Sequence, residues 1–324
     1  MNINIYDKEL NRIGIIENKF VSCFWSEGYN TTEPFTLELQ ATEQYKKIVR
    51  PDNFVGRTDR KCLMVIKSVE AIDGKIIATG FQAQKMLDDV SFIGKIAANS
   101  EVDKAIIQAY NDSSKCVSAK FAENNIGATY KEEIENISIW QMIETMCQSA
   151  DVGIQSEKSG SSVLFSFYKP GKRENAIFSK QFGNADISSI MLAITNLKNY
   201  AIVIGSDLSD KTVRVDCDET NGEQRREIIV SGGVQKNGES NADYQKRLQA
   251  LGHEELLKHN KIWEIRAIPT ANDFGKKFDL GDIVTFLLPD YEMKFEARIS
   301  RFQQKEQSNT TTTTIDIGEI TIKR

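Results

Sequence analysis

The chain has 324 residues, 40% of them hydrophobic and 27% charged, the balance of a globular protein and not of a disordered one. The formal net charge is -5 and the pI about 5.4, so no global excess of Lys and Arg is there to hold a nucleic-acid backbone or an anionic membrane surface. No run approaches the length of an apolar membrane span, no secretory signal is expected from Met1-Asn-Ile-Asn-Ile5, and the five cysteines are far apart with no C-x-x-C, which fits folding in a reducing cytoplasm.

The length suits two or three packed domains, and the first hundred residues read as strands. Ile3 and Ile5 alternate with polar residues, Asp7 to Leu10 reads as a turn, and Arg12 to Ile16 resumes the strand. Lys19 to Trp25 is rich in β-branched and aromatic residues, and Phe35, Leu37 and Leu39 share one face of the next strand. Cys62 to Val69 and Lys75 to Thr79 flank Asp73-Gly74, a hairpin turn signal. Short strands at this spacing indicate a sandwich or barrel.

The middle third is more helical. Ser100-x-x-Asp103 resembles a capping box, followed by an apolar stripe at Val102, Ala105, Ile106, Ala109 and Tyr110. Ser138-x-x-Gln141 is a second box, followed by Ile139, Met142, Ile143, Met146 and Cys147 at the same spacing. A β pair is expected next, Val163 to Tyr168 and Ala176 to Ser179, with a turn at Pro170-Gly171.

Strands return at Tyr200 to Gly205, Thr212 to Asp216 and Glu227 to Val230. Ser240-x-x-Asp243 opens a helix running to about His259, with Tyr244, Leu248, Leu251 and Leu256 as its apolar positions. The chain closes on strands at Trp263 to Ile268, Asp282 to Leu288, Phe295 to Arg301 and Thr312 to Ile322. Ile315 and Ile317 have one parity and Ile320 and Ile322 the other, so Gly318 reads as a bulge that resets the register. The threonine run Thr310 to Thr314 reads as a polar strand or hairpin edge.

Catalytic signals are missing from the sequence. His253-Glu254 begins like a zinc-protease motif, but position 257 is Leu, and His253 and His259 point to different helix faces. Ser159-Gly-Ser-Ser162 lacks the frame of a nucleophile elbow, no cue pairs a cysteine with a histidine, and Cys62 and Cys147 read as buried thiols. Ser231-Gly-Gly-Val234 is too short to cradle a phosphate and reads as a turn. Asp216-Cys-Asp-Glu-Thr-Asn-Gly222 misses the calcium-loop spacing. No catalytic, cofactor-binding or metal-binding residue is assigned, and no cofactor is expected. Trp25, Trp140 and Trp263 fall within expected strands or helices, where core packing is their simplest role.

Ile5-Tyr-Asp-Lys-Glu-Leu-Asn-Arg-Ile-Gly-Ile-Ile16 resembles the opening strands of phage tail hub proteins of Gram-positive bacteria. Trp25, Glu33-Pro-Phe-Thr-Leu-Glu-Leu-Gln-Ala-Thr42 and the hairpin Met64 to Gly80 continue that pattern, and Phe81 to Asp88 is similar to the family's short helix after the hairpin. Downstream, Asn199 to Gly205, Arg225 to Val230, Leu248-x-x-x-Gly252-x-x-x-Leu256 and Phe278-Asp-Leu-Gly-Asp-Ile-Val284 keep the family's order over nearly the whole chain. Glu33-Pro34 stands where the family usually has a Gly.

The resemblance implies a mainly β, α+β chain with two tube-like β-barrel domains, a helical αβ insertion and one long helix near the C-terminal barrel. The implied boundaries are 1–97 for the first barrel, 98–182 for the insertion and 183–324 for the second barrel, which carries the helix at about 241–259 and has room to exchange strands with the first. It implies a homotrimer in which six similar barrels form a ring, partnered by the tail tube and distal tail proteins above and by a tip, spike or fiber protein below. DNA would pass through without specific binding, no membrane insertion is implied, and the place of the chain would be the virion tail or a tailocin particle assembled in the host cytoplasm. Asp88, Asp89, Glu132, Glu133, Asp216 and Asp218 are candidates for the lumen wall, and Lys46, Lys47, Arg57, Arg60 and Lys61 for subunit contacts. Relatives with a hydrolase or fiber extend further, so such activity is expected of another subunit. A carbohydrate-binding adhesin and a peptidoglycan hydrolase are the alternative readings.

Overall fold

The computed structural model describes residues 2–17, 19–113, 119–123, 125–259, 262–307 and 310–323. Its contacts divide the chain into two units, residues 1–186 with 267–324, and residues 187–266.

The first unit starts with β1 (Asn2–Tyr6), β2 (Arg12–Glu17), β3 (Phe20–Gly28), β4 (Pro34–Gln40), the short helix α1 (Glu43–Ile48), β5 (Phe54–Arg57), β6 (Leu63–Ile72) and β7 (Lys75–Gln82). These strands lie antiparallel in the order β3-β4-β7-β6-β5-β1-β2. Alternation decides which face is covered: Phe35, Leu37 and Leu39 are buried, as are Ile3 and Ile5. The Asp7 turn forms because its Oδ1 accepts from the backbone N–H groups of Glu9 and Asn11 at 2.9 Å. Asp73 and Gly74 take φ of 50° and 73°, the two left-handed positions of a tight hairpin.

A 3₁₀ turn at Ala83–Asp89 leads into an αβ layer made of β8 (Ser91–Ile96), β9 (Ser100–Glu101), α2 (Val102–Asp112), β10 (Ala119–Phe121), β11 (Thr129–Tyr130), β12 (Ile134–Ser138), α3 (Ile139–Ser149), β13 (Gly153–Ser159) and β14 (Ser162–Tyr168). Ile106, Tyr110, Trp140, Ile143, Met146, Phe165 and Phe167 form one core with Phe54, Leu63 and Val65 of the first strands, so this layer is not a free-standing domain. The Ser138 capping box forms as expected. The Ser100 box does not: Glu101 occupies the cap position without a side-chain bond, and Ser100 Oγ donates to the Ala97 carbonyl. Asp103 turns inward, fully buried, and accepts from the Ile126 N–H at 3.2 Å.

The expected hairpin across Pro170-Gly171 is also replaced. β14 pairs with β13 and β10, whereas β15 (Lys172–Phe178) runs parallel to a strand more than a hundred residues further on.

The second unit contains most of β16 (Ala185–Ala193), then β17 (Tyr200–Ser206), β18 (Thr212–Asp218), β19 (Glu227–Val234), helix α4 (Asn241–Lys258) and the start of β20 (Ile262–Pro269). Central β17 is antiparallel to β18 and parallel to β19. Ser240 caps α4, which lays Tyr244, Leu248, Gly252 and Leu256 on Ala201, Val203 and Cys217. The Gly232-Gly233 pair is not a turn but a bulge within β19, where the register moves from Ile204↔Ser231 to Gly205↔Gly233. A Cβ on Gly232 would meet Leu248 Cδ2 at 2.2 Å, so the glycine makes room for the helix. Residues 187–266 build an αβ unit; Trp263 lies outside the residues whose side chains are described.

β21 (Ile283–Leu288), β22 (Met293–Gln307) and β23 (Thr310–Lys323) return to the first unit and complete an 11-stranded sheet with β1–β7 and β15. One edge of β22 takes β21 against residues 293–298 and then β3 against residues 301–307, while β23 follows its other edge throughout. The change of partner coincides with two compensating bulges: the register passes from Ala297↔Ile320 to Ile299↔Ile317 to Arg301↔Asp316. One extra residue falls on β23 at the expected Gly318 position and one on β22 at Ser300. Paired bulges at this point let one long hairpin serve two parts of a sheet. Among the described residues neither part closes into a barrel.

Candidate assembly site

The features of this fold that can act on a partner are open sheet edges, charged faces and the junctions that hold them rigid. Among the described residues the large sheet ends on β2, β15 and β23. β15 begins with the exposed run Lys172, Arg173, Glu174 and Asn175. Strand edges with such charges resist further pairing. β2 has charge only at its ends, Arg12 and Glu17, around Ile13-Gly-Ile-Ile16. β23 carries no charge from Thr310 to Ile315, and its pairing with β22 is regular over Gln307↔Thr310 to Phe302↔Ile315. The threonine run is thus an edge strand, as expected, with Thr310, Thr311 and Thr312 exposed.

Two polar junctions hold the sheet. Gly281 takes φ of 81°, which turns the Phe278–Val284 segment and points the Asp282 carboxylate inward. Asp282 Oδ1 accepts from the Gly171 N–H at 3.1 Å; Oδ2 accepts from Arg173 Nε at 2.8 Å and from the Asp279 N–H at 2.9 Å. This carboxylate pins the start of β15 beside β21 and accounts for the missing hairpin. In the second junction Glu27, 3% exposed, accepts from Trp25 Nε1 at 2.8 Å and is gripped by Arg60 through Nε at 2.8 Å and Nη2 at 2.6 Å. The Arg60 guanidinium lies 4.9 and 4.8 Å from the ring centres of Phe274 and Phe302. Burial opposes its charge, but the Glu27 carboxylate outweighs that and raises its pKa.

A cavity of about 280 Å³ opens beside this pair, lined among others by Gln82, Gln84, Ser156, Tyr168 and Asp279. Its polar groups answer one another: Gln82 Oε1 accepts from the Gly28 and Glu33 N–H groups, and Ser156 Oγ donates to Gln84 Oε1. Asp279 has exposed surface, yet desolvation pushes its carboxyl pKa up, with Glu27 and Asp282 adding to the rise. Cys62, also on the wall, is buried and its thiol pKa is raised by burial, which makes it inert. Cys147 is buried as expected, and Cys116 lies outside the described residues.

The six acidic candidates fall in both units. Asp88 pairs with Lys85 and accepts from Ser138 Oγ, Asp89 faces Lys67 at 3.5 Å and Glu133 faces Lys95 at 2.6 Å. Glu132 is exposed. Asp216 is held by Arg214 and by the Tyr200 hydroxyl, and Asp218 by Thr220. Of the basic candidates, Arg57 is committed within the chain to Asp59 and Gln304, and Arg60 to Glu27. Lys46, Lys47 and Lys61 remain at the surface. His253 bonds Glu219 at 2.5 Å, the Ser159–Ser162 run caps the β13–β14 hairpin, and the described residues hold no metal-binding cluster. Sequence reading missed Glu27 and Arg60 as a pair; nothing local marks them, because they are 33 residues apart.

Solved structures with the same fold include phage tail proteins. The 43 kDa tail protein of prophage MuSo2 from Shewanella oneidensis matches 98% of this chain and 98% of its own at a TM-score of 0.58 and 12% identity. Prophage tail protein gp18 from Listeria monocytogenes EGD-e matches over 98% and 94% at 0.55 and 14% identity. A tail protein from Neisseria meningitidis MC58 matches over 98% and 96% at 0.54 and 12% identity. Among curated proteins none matches. At these identities the structures speak for the fold, and the sequence speaks for the family: residues 2–319 match the model of the Siphovirus ReqiPepy6 Gp37-like proteins, and the chain belongs to that family of phage tail proteins.

Proposed function

We propose that the chain is the structural hub of a phage or phage-like tail baseplate, three copies forming a ring that links the tail tube to the tip or spike. The observation that supports this best is the β22–β23 hairpin, which serves two parts of one sheet and offers a long open edge. Two parts of the sheet per chain, taken three times, would place six elements around one axis and bridge a sixfold tube to a threefold tip. A closed ring with head-to-tail interfaces is the oligomer such a chain would form. Its work would be mechanical and non-enzymatic, in keeping with a family of structural tail proteins.

The lumen would pass DNA by repulsion, because an acidic wall does not retain a polyanion. Glu132 is the first candidate for that wall, since it is exposed and the other five acids have partners within the chain. Light scattering of the chain, alone and with its adjacent tail subunits, tests the ring. A trimer in either sample with a ring in negative stain is the expected result. A monomer in both would move the reading toward an adhesin or a cell-wall module.

A further inference from the structure

We infer that the outer edge of β23, over Thr310–Ile315, takes the β2 strand, Arg12–Glu17, of a second copy of this chain as a parallel neighbour. The inference rests on the ring reading above and names the joint that would close it.

The first ground is the condition of the edges. A free edge presents a row of backbone N–H and C=O groups, and proteins that must not pair there place Lys, Pro, bulges or other charges on it. β15 is protected in this way by Lys172, Arg173 and Glu174. The Thr310–Ile315 stretch has none of these devices: no charge, no proline and no bulge, but five β-branched threonines in succession. β2 is the matching edge, uncharged over Ile13–Ile16, and its Ile13 and Ile15 are each 39% exposed. The two stretches are equal in length, six residues each.

The second ground is direction. From β23 the sheet runs β23-β22-β3-β4-β7-β6-β5-β1-β2, nine strands joined by eight antiparallel pairings. Eight reversals return the original direction, so β23 and β2 point the same way. A head-to-tail ring preserves strand direction from copy to copy, so the joint of β2 with the next β23 has to be parallel. A two-fold pairing of β23 with β23 would be antiparallel. It would satisfy both threonine edges in a dimer and leave β2 unpaired, which does not make a ring.

The test uses the full chain, co-expressed with its adjacent tail subunits, in a Cys116→Ser background so that the native cysteines left are buried. Thr312→Cys and Ile15→Cys are made in separate chains, with Thr311→Cys and Thr313→Cys alongside to cover the register; neighbouring strands lie within disulfide reach. Oxidation of the mixture should give a disulfide-linked pair that neither variant gives alone. A ring by negative stain with no mixed disulfide at any register removes this joint and leaves the ring. Self-linked Thr312→Cys pairs replace the joint with a two-fold one. A monomer throughout removes joint and ring together. As a second measurement, Thr312→Lys should raise the concentration for half-assembly by roughly tenfold or more, with an unchanged circular dichroism spectrum. Unchanged assembly would overturn the inference.

Discussion

Replacing Asp282 with Ala should loosen the first unit more than any other single change at its surface-facing turns. The carboxylate is 2% exposed and accepts three hydrogen bonds, from the Gly171 N–H, the Asp279 N–H and Arg173 Nε. Arg173 is half exposed and regains water when its partner goes, so its share is small, about 0–1 kcal/mol. The two backbone N–H groups are part-buried, and each left without an acceptor costs about 1–2 kcal/mol. The loss should therefore be about 2–5 kcal/mol, read as a drop in the urea midpoint followed by tryptophan fluorescence. Two of the three tryptophans, Trp25 and Trp140, are buried in this unit. Hydrogen exchange should speed up first at Lys172–Phe178, because the carboxylate holds the start of that strand. A loss under about 0.5 kcal/mol, or faster exchange elsewhere with β15 unchanged, would refute the role given to Asp282.

Asp279→Asn tests the charge crowding beside Glu27. The folded-state pKa of Asp279 is raised, so its protonated form is favoured by folding and its contribution is fully present below the ordinary carboxylate pKa of about 3.9. That contribution is lost as the pH rises through the raised folded value, and the variant should lack this loss; urea midpoints of the two proteins that run parallel from pH 4 to pH 8 would count against it. In the second unit, a Cβ at Gly252 would stand 2.5 Å from Cys217 Sγ and 2.9 Å from Val203 Cγ2. Gly252→Ala should cost about 1–3 kcal/mol despite the better helix propensity of Ala, and show as faster exchange in β17 and β18. Trp140→Ala should destabilise the first unit by about 3–5 kcal/mol, since the ring is 2% exposed; a change below about 1 kcal/mol would place it outside the core.

What the sequence disclosed follows the range of the forces involved. The Asp73-Gly74 hairpin, the Ser138 box, the Ser240 helix and the Gly318 bulge are each decided by residues within a few positions of one another, and each formed. The Ser100 box failed because Asp103 is drawn into the core, a choice made by tertiary packing. The pairing of β15 with β21 could not be seen from Pro170-Gly171, because the deciding carboxylate is Asp282, 111 residues away. Separation along the chain also hid the αβ character of residues 187–266, whose strands look alike whether their neighbour is another strand or α4. The junction of Glu27 and Arg60 had no local mark, whereas the turn that places Asp282 is legible in Gly281, which takes a positive φ.

Two parallel neighbours cannot be joined by a tight turn and need a crossover. Between β15 and β21 that crossover is the whole of residues 179–282, most of it a unit with its own core. The sheet asks of this excursion that it leave at Phe178, come back at Ile283 and bring the Asp282 carboxylate to Gly171 and Arg173. Because the entropy of closing a loop grows slowly with its length, the part of the excursion at 187–266 can be shortened, lengthened or exchanged at little thermodynamic expense. Insertions and deletions should therefore be tolerated in residues 187–266 far better than in the strands of the 11-stranded sheet.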